Sequence, residues 1–279
     1  MRHERNTNGC IPQSRLAGED YGTPGRGPSF AISVATIAVL LLLWWLVTRL
    51  GLVDALFLPS PAAVGSRVIE TAVEGFGGAN LWEHAWISIY RVAAAFAASC
   101  LTAIPIGLAM GMSRVLRGLF DPLIEFYRPI PPLAYLPLII IWTGIGEVSK
   151  MLLIYLACFA PMALSTQAAV RAVSTEQIHV AYAMGATRLQ VILHVVLKAS
   201  LPEILTGMRI GIGFAWTTLV AAEMVAASSG LGFMILNASE FLVTDVVLMG
   251  IFVIGSIALT SDLLMRCLEK KWVPWKGKM

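Results

Sequence analysis

Six apolar stretches, each long enough to cross a bilayer, constrain this chain more than any motif in it. A hydrocarbon core of about 30 Å needs about 20 mostly apolar residues at about 1.5 Å rise per residue. The stretches run approximately over 30–50, 85–110, 123–143, 151–170, 204–226 and 243–264. Only 13% of the 279 residues are charged and 57% are hydrophobic, whereas soluble domains carry about a quarter charged. The chain therefore reads as an all-α polytopic membrane protein. The third stretch is interrupted by Pro129, Pro131, Pro132 and Pro137.

Basic residues set the orientation. Of the 20 Lys and Arg, 15 fall on one side of an alternating six-span topology. They are Arg2, Arg5, Arg15 and Arg26 before the first span, and Arg114 and Arg117 between the second and third. Arg171, Arg188, Lys198 and Arg209 flank or fill the fourth-to-fifth connection, and Arg266, Lys270, Lys271, Lys276 and Lys278 close the chain. The positive-inside rule puts that side, with both termini, in the cytoplasm.

Residues 1–29 are rich in Gly, Pro, Arg and Asn and read as a disordered cytoplasmic tail. The run after them is too long for a signal-peptide core and lacks a small-residue cleavage site, so it is expected to stay as the first span, 30–50. Residues 51–84 form a periplasmic segment, in which Pro59 and Pro61 forbid a long helix. Val64, Val68, Ile69 and Val73 then recur at roughly helical spacing. They predict a short helix that either lies at the outer interface or packs on the outer bundle ends. A core of 85–266 and a cytoplasmic tail of 267–279 complete the division. Cys10, Cys100, Cys158 and Cys267 form no paired motif, and the four histidines form no metal pattern. No metal site and no nucleic-acid partner are expected.

The polar connection between the fourth and fifth spans, STEQIHVAYAMGATRLQVILHVVLKASLPE, carries three helix-start signals. Ser174 with Gln177, Thr187 with Gln190 and Ser200 with Glu203 each match the capping-box pattern. Gly185 suits a left-handed helix stop. The expectation is a short helix near 175–184, a sharp turn at Gly185, a second helix near 188–198, and a separate start of the last-but-one span. Polar Glu176, Gln177, His179 and Arg188 stand beside apolar Ile178, Ala181, Tyr182 and Met184. A helix too short to be stable alone needs a partner surface. The chain has no G-x-x-x-x-G-K-[ST] phosphate loop, so any ATP driving transport must be hydrolysed on another chain.

That segment resembles the cytosolic motif of binding-protein-dependent ABC importer permeases: a Glu-Ala-Ala triplet, three residues, Gly, nine residues, then Ile-x-Leu-Pro. Ala181, Gly185, Val195 and Leu197 fall in register, while His179, Val180 and Lys198 depart from it. The stretches DPLIEFYRPIPPLAYLPLIIIWTGIGEVSKMLLIYLACFAPM and PEILTGMRIGIGFAWTTLVAAEMVAASSGLGFMI, with the terminal VPW, are similar to the taurine, sulfonate and nitrate branch, nearest its taurine members. The resemblance covers about residues 30–275. It implies the type I ABC importer permease fold in the inner (plasma) membrane, with no catalysis in this chain. It also implies a coupling helix at 174–188 that docks on an ATPase subunit through Gln177, His179, Ala181, Tyr182, Met184, Gly185 and Arg188. The implied partners are two ABC ATPase subunits holding ATP and Mg, one periplasmic substrate-binding protein, a second copy of this chain and the surrounding lipid. The implied cargo is taurine or a related alkanesulfonate, with nitrate or a thiamine precursor as alternatives within the family.

Within the membrane, the prolines around Pro131 and Pro132 leave carbonyls without donors, so this backbone is expected to face protein or a wet cavity, or to kink for packing. Glu125 and Arg128, at i and i+3, form a structural pair, a cytosolic-gate contact or a direct substrate contact. Glu223 is the one acid in the fifth span, and Arg91 either supplies a positive group or snorkels to the interface. Structural roles are favoured for both. Trp142 and Trp216 line the passage or anchor span ends. Gly107-x-x-x-Gly111 and Gly207-x-x-x-Gly211 permit close helix approach. An ion-coupled secondary transporter, the rival of another class, would need matching broken helices in two halves. Only one Pro-broken span is visible.

Overall fold

Because lipid cannot satisfy backbone polar groups, a chain this apolar must close its hydrogen bonds within helices. The computed structural model describes residues 30–274, and helices account for most of them. In chain order they are α1 (Phe30–Arg49), α2 (Pro61–Val73), α3 (Leu81–Met112), α4 (Arg114–Tyr127), α5 (Pro132–Thr143) and α6 (Glu147–Arg171). Then come α7 (Thr175–Ala183), α8 (Arg188–Gln190), a π-helical segment Val191–Val196, α9 (Leu197–Ala226), α10 (Leu231–Glu240) and α11 (Thr244–Trp272). The tail 1–29, the end of VPW at Trp275, and Lys276 and Lys278 lie outside the described residues.

Five helices are long and apolar enough to span a membrane: α1, α3, α6, α11 and the continuous run Arg188–Ala226. The expected third span is instead divided. Arg128–Pro131 breaks it into α4 and α5, and α5 has 12 residues, about 18 Å of helix, too short to cross alone. The prolines remove donors, and Pro132 holds the residue before it out of the helical region: Pro131 sits at φ −55°, ψ 133°.

The second span begins at Leu81, earlier than expected, because Asn80 and Glu83 form a reciprocal capping box, each side chain accepting the other's backbone N–H at 2.9 Å. The last helix runs past 266 to Trp272. There Asp262 accepts from Arg209 of α9 at 2.6 Å and from Arg266 at 2.8 Å, and Lys270 and Lys271 favour the helix C-terminus.

The third predicted helix start is absent. Ser200 lies inside the helix that joins the π segment to α9, and its hydroxyl donates back to the Val196 carbonyl at 2.8 Å. A Ser-x-x-Glu spacing reads the same at a helix start and in a helix interior. Continuing the helix satisfies the backbone without a cap, and the serine then bonds its own i−4 carbonyl. Ser200 is buried but bonds only its own turn, a back-bond that mildly disfavours a helix, so Ser200→Ala should shift stability by less than about 0.5 kcal/mol. Thr187→Ala, which removes a real cap (Gln190 N–H to Thr187 Oγ1, 3.4 Å), should cost about 1 kcal/mol. Thermal unfolding of the two purified variants separates them.

The core is built on α6, held between α3 and α9. Both predicted small-residue stripes face it. A Cβ at Gly107 would stand 2.6 Å from the Ala163 carbonyl and one at Gly111 2.6 Å from Val170. One at Gly207 would stand 2.5 Å from Ser165 and one at Gly211 2.8 Å from Met162. Backbones this close leave no room for a side chain. Gly207→Leu is expected to abolish the monodisperse folded protein, read by size-exclusion chromatography, whereas Gly118→Ala, where a Cβ meets nothing within 4 Å, should be neutral.

On the outer side α2 combines both readings of its pattern. Val64 joins the buried cluster of Leu81, Leu231 and Met234, whereas Ile69 and Val73 point outward. Arg67 donates to Asp245 of α11 at 2.8 Å.

Candidate coupling site and translocation groove

α7 follows directly from the inner end of α6, and the run after it leads into α9, so it joins two members of the central trio. Ser174 caps it, accepting from the Glu176 N–H at 3.2 Å. It ends in a Schellman arrangement: Gly185 at φ +83°, with Ala186 N–H donating to Ala181 O at 3.0 Å and Gly185 N–H to Tyr182 O at 2.9 Å. The Thr187–Gln190 box then starts the next helix in both directions. Ile178 and Ala181 turn inward onto Val170, Val191 and Val196. The other face carries Gln177, His179, Val180, Tyr182 and Arg188, all exposed, with Met184 83% exposed. The predicted coupling residues thus share one short helix and its turn, except Arg188, which opens α8. Ala181 faces the body of the protein and the rest face outward, an apolar patch with a polar border and no described segment of this chain over it.

A second feature lies between α4 and α6. Asp121, Glu125 and Arg128 form a stripe at i, i+4, i+7 on α4. Ala157, Pro161, Leu164, Ala168 and Arg171 form the facing stripe on α6. Two cavities of about 500 Å³ each lie along these stripes. The deeper one sits beside the proline break and includes Tyr127, Arg128, Pro132, Tyr135, Ser165 and Phe214 in its wall. The inner one is bounded by Asp121, Pro122, Glu125, Gln167 and Arg171. Tyr127 donates to Leu156 O at 3.4 Å and Gln167 to Asp121 at 3.2 Å, bracing the two helices. Glu125, in the wall of the inner cavity, and Arg128, in the wall of the deeper one, pair at 3.4 Å. Pro131 lies exposed at the break itself.

The remaining predicted path residues lie elsewhere. Trp142 is 71% exposed near the outer end of α5. Trp216 is enclosed in the core of α3, α6 and α9, its indole N–H without a partner among the described residues. Glu223 is fully buried. Its carboxylate accepts from Arg91 Nη1 at 2.7 Å, from Ser88 Oγ at 2.8 Å and from the Gly232 N–H at the start of α10 at 2.8 Å.

Arg91 does not snorkel: it is 1% exposed. Its guanidinium also forks onto Glu147 at 2.6 Å through both Nε and Nη2 and donates to Ser229 O at 2.8 Å. Lys150 completes the chain at 2.9 Å from Glu147. His84 accepts the Gly230 N–H on Nδ1 at 3.0 Å while Nε2 lies 2.9 Å from Phe76 O, which selects the neutral tautomer protonated on Nε2. The outer ends of α3, α6, α9 and α10 are thereby tied together. Sequence reasoning reached Arg91 and Glu223 but missed Ser88, His84, Glu147 and Lys150. Only the i, i+3 spacing of Glu147 and Lys150 offered a signal.

The model of the binding-protein-dependent transport system inner membrane component family matches residues 103–274. The chain belongs to that family. It is 52% identical over 249 residues to the taurine transport system permease protein TauC of Escherichia coli strain K12, covering 89% of this chain and 90% of that protein. It is 36% identical over 240 residues to the putative aliphatic sulfonates transport permease protein SsuC of Bacillus subtilis strain 168, covering 86% of each. Its fold matches a chain of the MetNI methionine ABC transporter in an inward-facing conformation, with a TM-score of 0.55 at 18% identity, covering 65% of this chain and 93% of that one. This family member is thus a transport subunit of the inner membrane rather than an enzyme. Membership of an ABC import system implies ATPase and binding-protein partners.

Proposed function

We propose that this chain is the permease of an ATP-driven importer of taurine or a closely related alkanesulfonate. It works as a symmetric pair with two ATPase subunits, which hold the ATP and Mg, and one periplasmic binding protein. The observation that carries the coupling half is the exposed Tyr182–Met184 patch on a capped helix wired into α6 and α9. An ATPase groove that grips α7 displaces the inner ends of both spans at once. The glycine contacts make α3, α6 and α9 move as one block, and the outer ion-pair chain holds their far ends together. Rocking of that block against its copy exposes the pathway alternately to each side, and the Arg128–Pro132 break with its cavity lies along that pathway. The cargo half is supported by the likeness to TauC along nearly the whole of both proteins.

The test is uptake into proteoliposomes holding this permease, its ATPase and its binding protein. ATP-dependent accumulation of labelled taurine, absent without the binding protein, is the expected result. Accumulation driven by an ion gradient without ATP, or transport of nitrate but not of taurine, would overturn it.

A further inference from the structure

The ion pair between Glu125 and Arg128 links two cavities, with one partner in the wall of each. Arg128 borders the deeper cavity and Glu125 the inner one. The contact is loose. At 3.4 Å it is longer than the 2.7–2.9 Å typical of charge-assisted hydrogen bonds. Neither side chain makes a hydrogen bond to another described residue, and their side chains are 52% and 54% exposed. The outer cluster makes the contrast clear, for Arg91 spends its guanidinium on four close contacts at 2.6–2.8 Å. An ionisable pair with its donors unspent in the walls of two cavities is suited to a ligand rather than to a structural tie.

We propose that Glu125 and Arg128 form a split zwitterion site, in which Arg128 takes the anionic head of the substrate and Glu125 its ammonium. The inference rests on the alkanesulfonate reading above. An arginine fork matches the oxygens of a sulfonate as it does those of a carboxylate or phosphate. A short ω-amino sulfonate carries opposite charges on a small apolar body. Inserted between the two side chains, it replaces one loose internal pair by two intermolecular pairs without changing the net charge. The deeper cavity suits the apolar body, since Ala157, Ala160, Leu164 and Phe214 lie in its wall, and its volume of about 500 Å³ falls within the usual range for small-molecule pockets, about 300–1,000 Å³. The α6 stripe continues from that cavity to the inner one. A substrate released from Arg128 therefore meets Gln167 and Arg171 next, on the cytosolic side.

The permease–ATPase complex in lipid nanodiscs, with no binding protein present, tests the site by equilibrium binding of taurine and of ethanesulfonate, which lacks the ammonium. The wild type is expected to bind taurine at millimolar concentration. Arg128→Gln should weaken both ligands tenfold or more, as loss of a charge-assisted hydrogen bond implies, and Arg128→Lys should recover part of the loss. Glu125→Gln should weaken taurine by a similar factor and leave ethanesulfonate within about twofold. The site is refuted if wild type binds no taurine, if both variants bind it like wild type, or if Glu125→Gln weakens both ligands equally. Binding-protein-dependent taurine uptake by the wild type tests the cargo separately. Uptake with indifferent variants sinks the site alone, and absent uptake sinks the cargo assignment.

Discussion

Arg91→Met is expected to destabilise the folded subunit by about 3–5 kcal/mol, the usual result of leaving a buried charge unpaired. Glu223 is fully buried and would keep only Ser88 and the Gly232 amide as partners. Glu147 is half exposed and retains Lys150. A peripheral pair gives the contrast: Glu70→Gln, which breaks only the part-exposed contact with Arg67, should cost no more than about 1 kcal/mol. Because the penalty comes from the stranded charge, the double variant Arg91→Met with Glu223→Met should recover most of the loss. Gly230→Ala should disturb the same cluster from the other side. Gly230 adopts φ +123°, and an added Cβ would stand 2.4 Å from the Glu223 carboxylate. Thermal unfolding of purified protein in one lipid or detergent system ranks the four variants. Equal stability of Arg91→Met and Glu70→Gln would mean that the outer cluster ties nothing together.

Gly185→Val is expected to reduce ATP-driven uptake to background while the protein inserts at its normal level. A Cβ at this position meets no atom within 4 Å, so crowding plays no part. The cost is conformational, about 1–3 kcal/mol for a residue forced into the left-handed region, and highest for a β-branched side chain. The chain relieves it by abandoning the turn. Ala186 then no longer donates to Ala181 O, and the exposed patch of Tyr182 and Met184 loses its orientation. Gly185→Asn should retain much of the transport, since asparagine tolerates this conformation. Uptake by the valine variant at wild-type rate would mean that the turn carries no force.

Local rules explain why the inner joint was legible in the sequence. Helix stop, turn and restart at α7 depend on residues no more than five positions apart, so Ser174, Gly185 and the Thr187–Gln190 box could be read directly. The same locality misled at Ser200, where the pattern does not say whether backbone donors are free. The Asn80–Glu83 box is equally local and starts the second span at Leu81, four residues before the position expected from hydropathy. The prolines announced the fault in the third span. Whether it bends or divides depends on what the freed carbonyls face, which is a tertiary matter. The glycine stripes were legible as close-approach surfaces, yet nothing local named α6 as the neighbour of both. The outer cluster was the least legible, because Arg91 and Glu223 are separated by 132 positions. Their partner choice follows from how α3, α6 and α9 pack.

The central claim is that an energy-supplying neighbour grips α7 from the cytosol, and its most direct test is a crosslink from Met184→Cys in a chain whose Cys10 and Cys267 have been replaced. A bifunctional thiol reagent should join position 184 to the ATPase subunit in inverted membrane vesicles, with a yield that changes on adding ATP. The account is contradicted if position 184 instead reacts with a membrane-impermeant maleimide applied to the periplasmic face, or if it forms no ATPase adduct in an assembled, transport-competent complex.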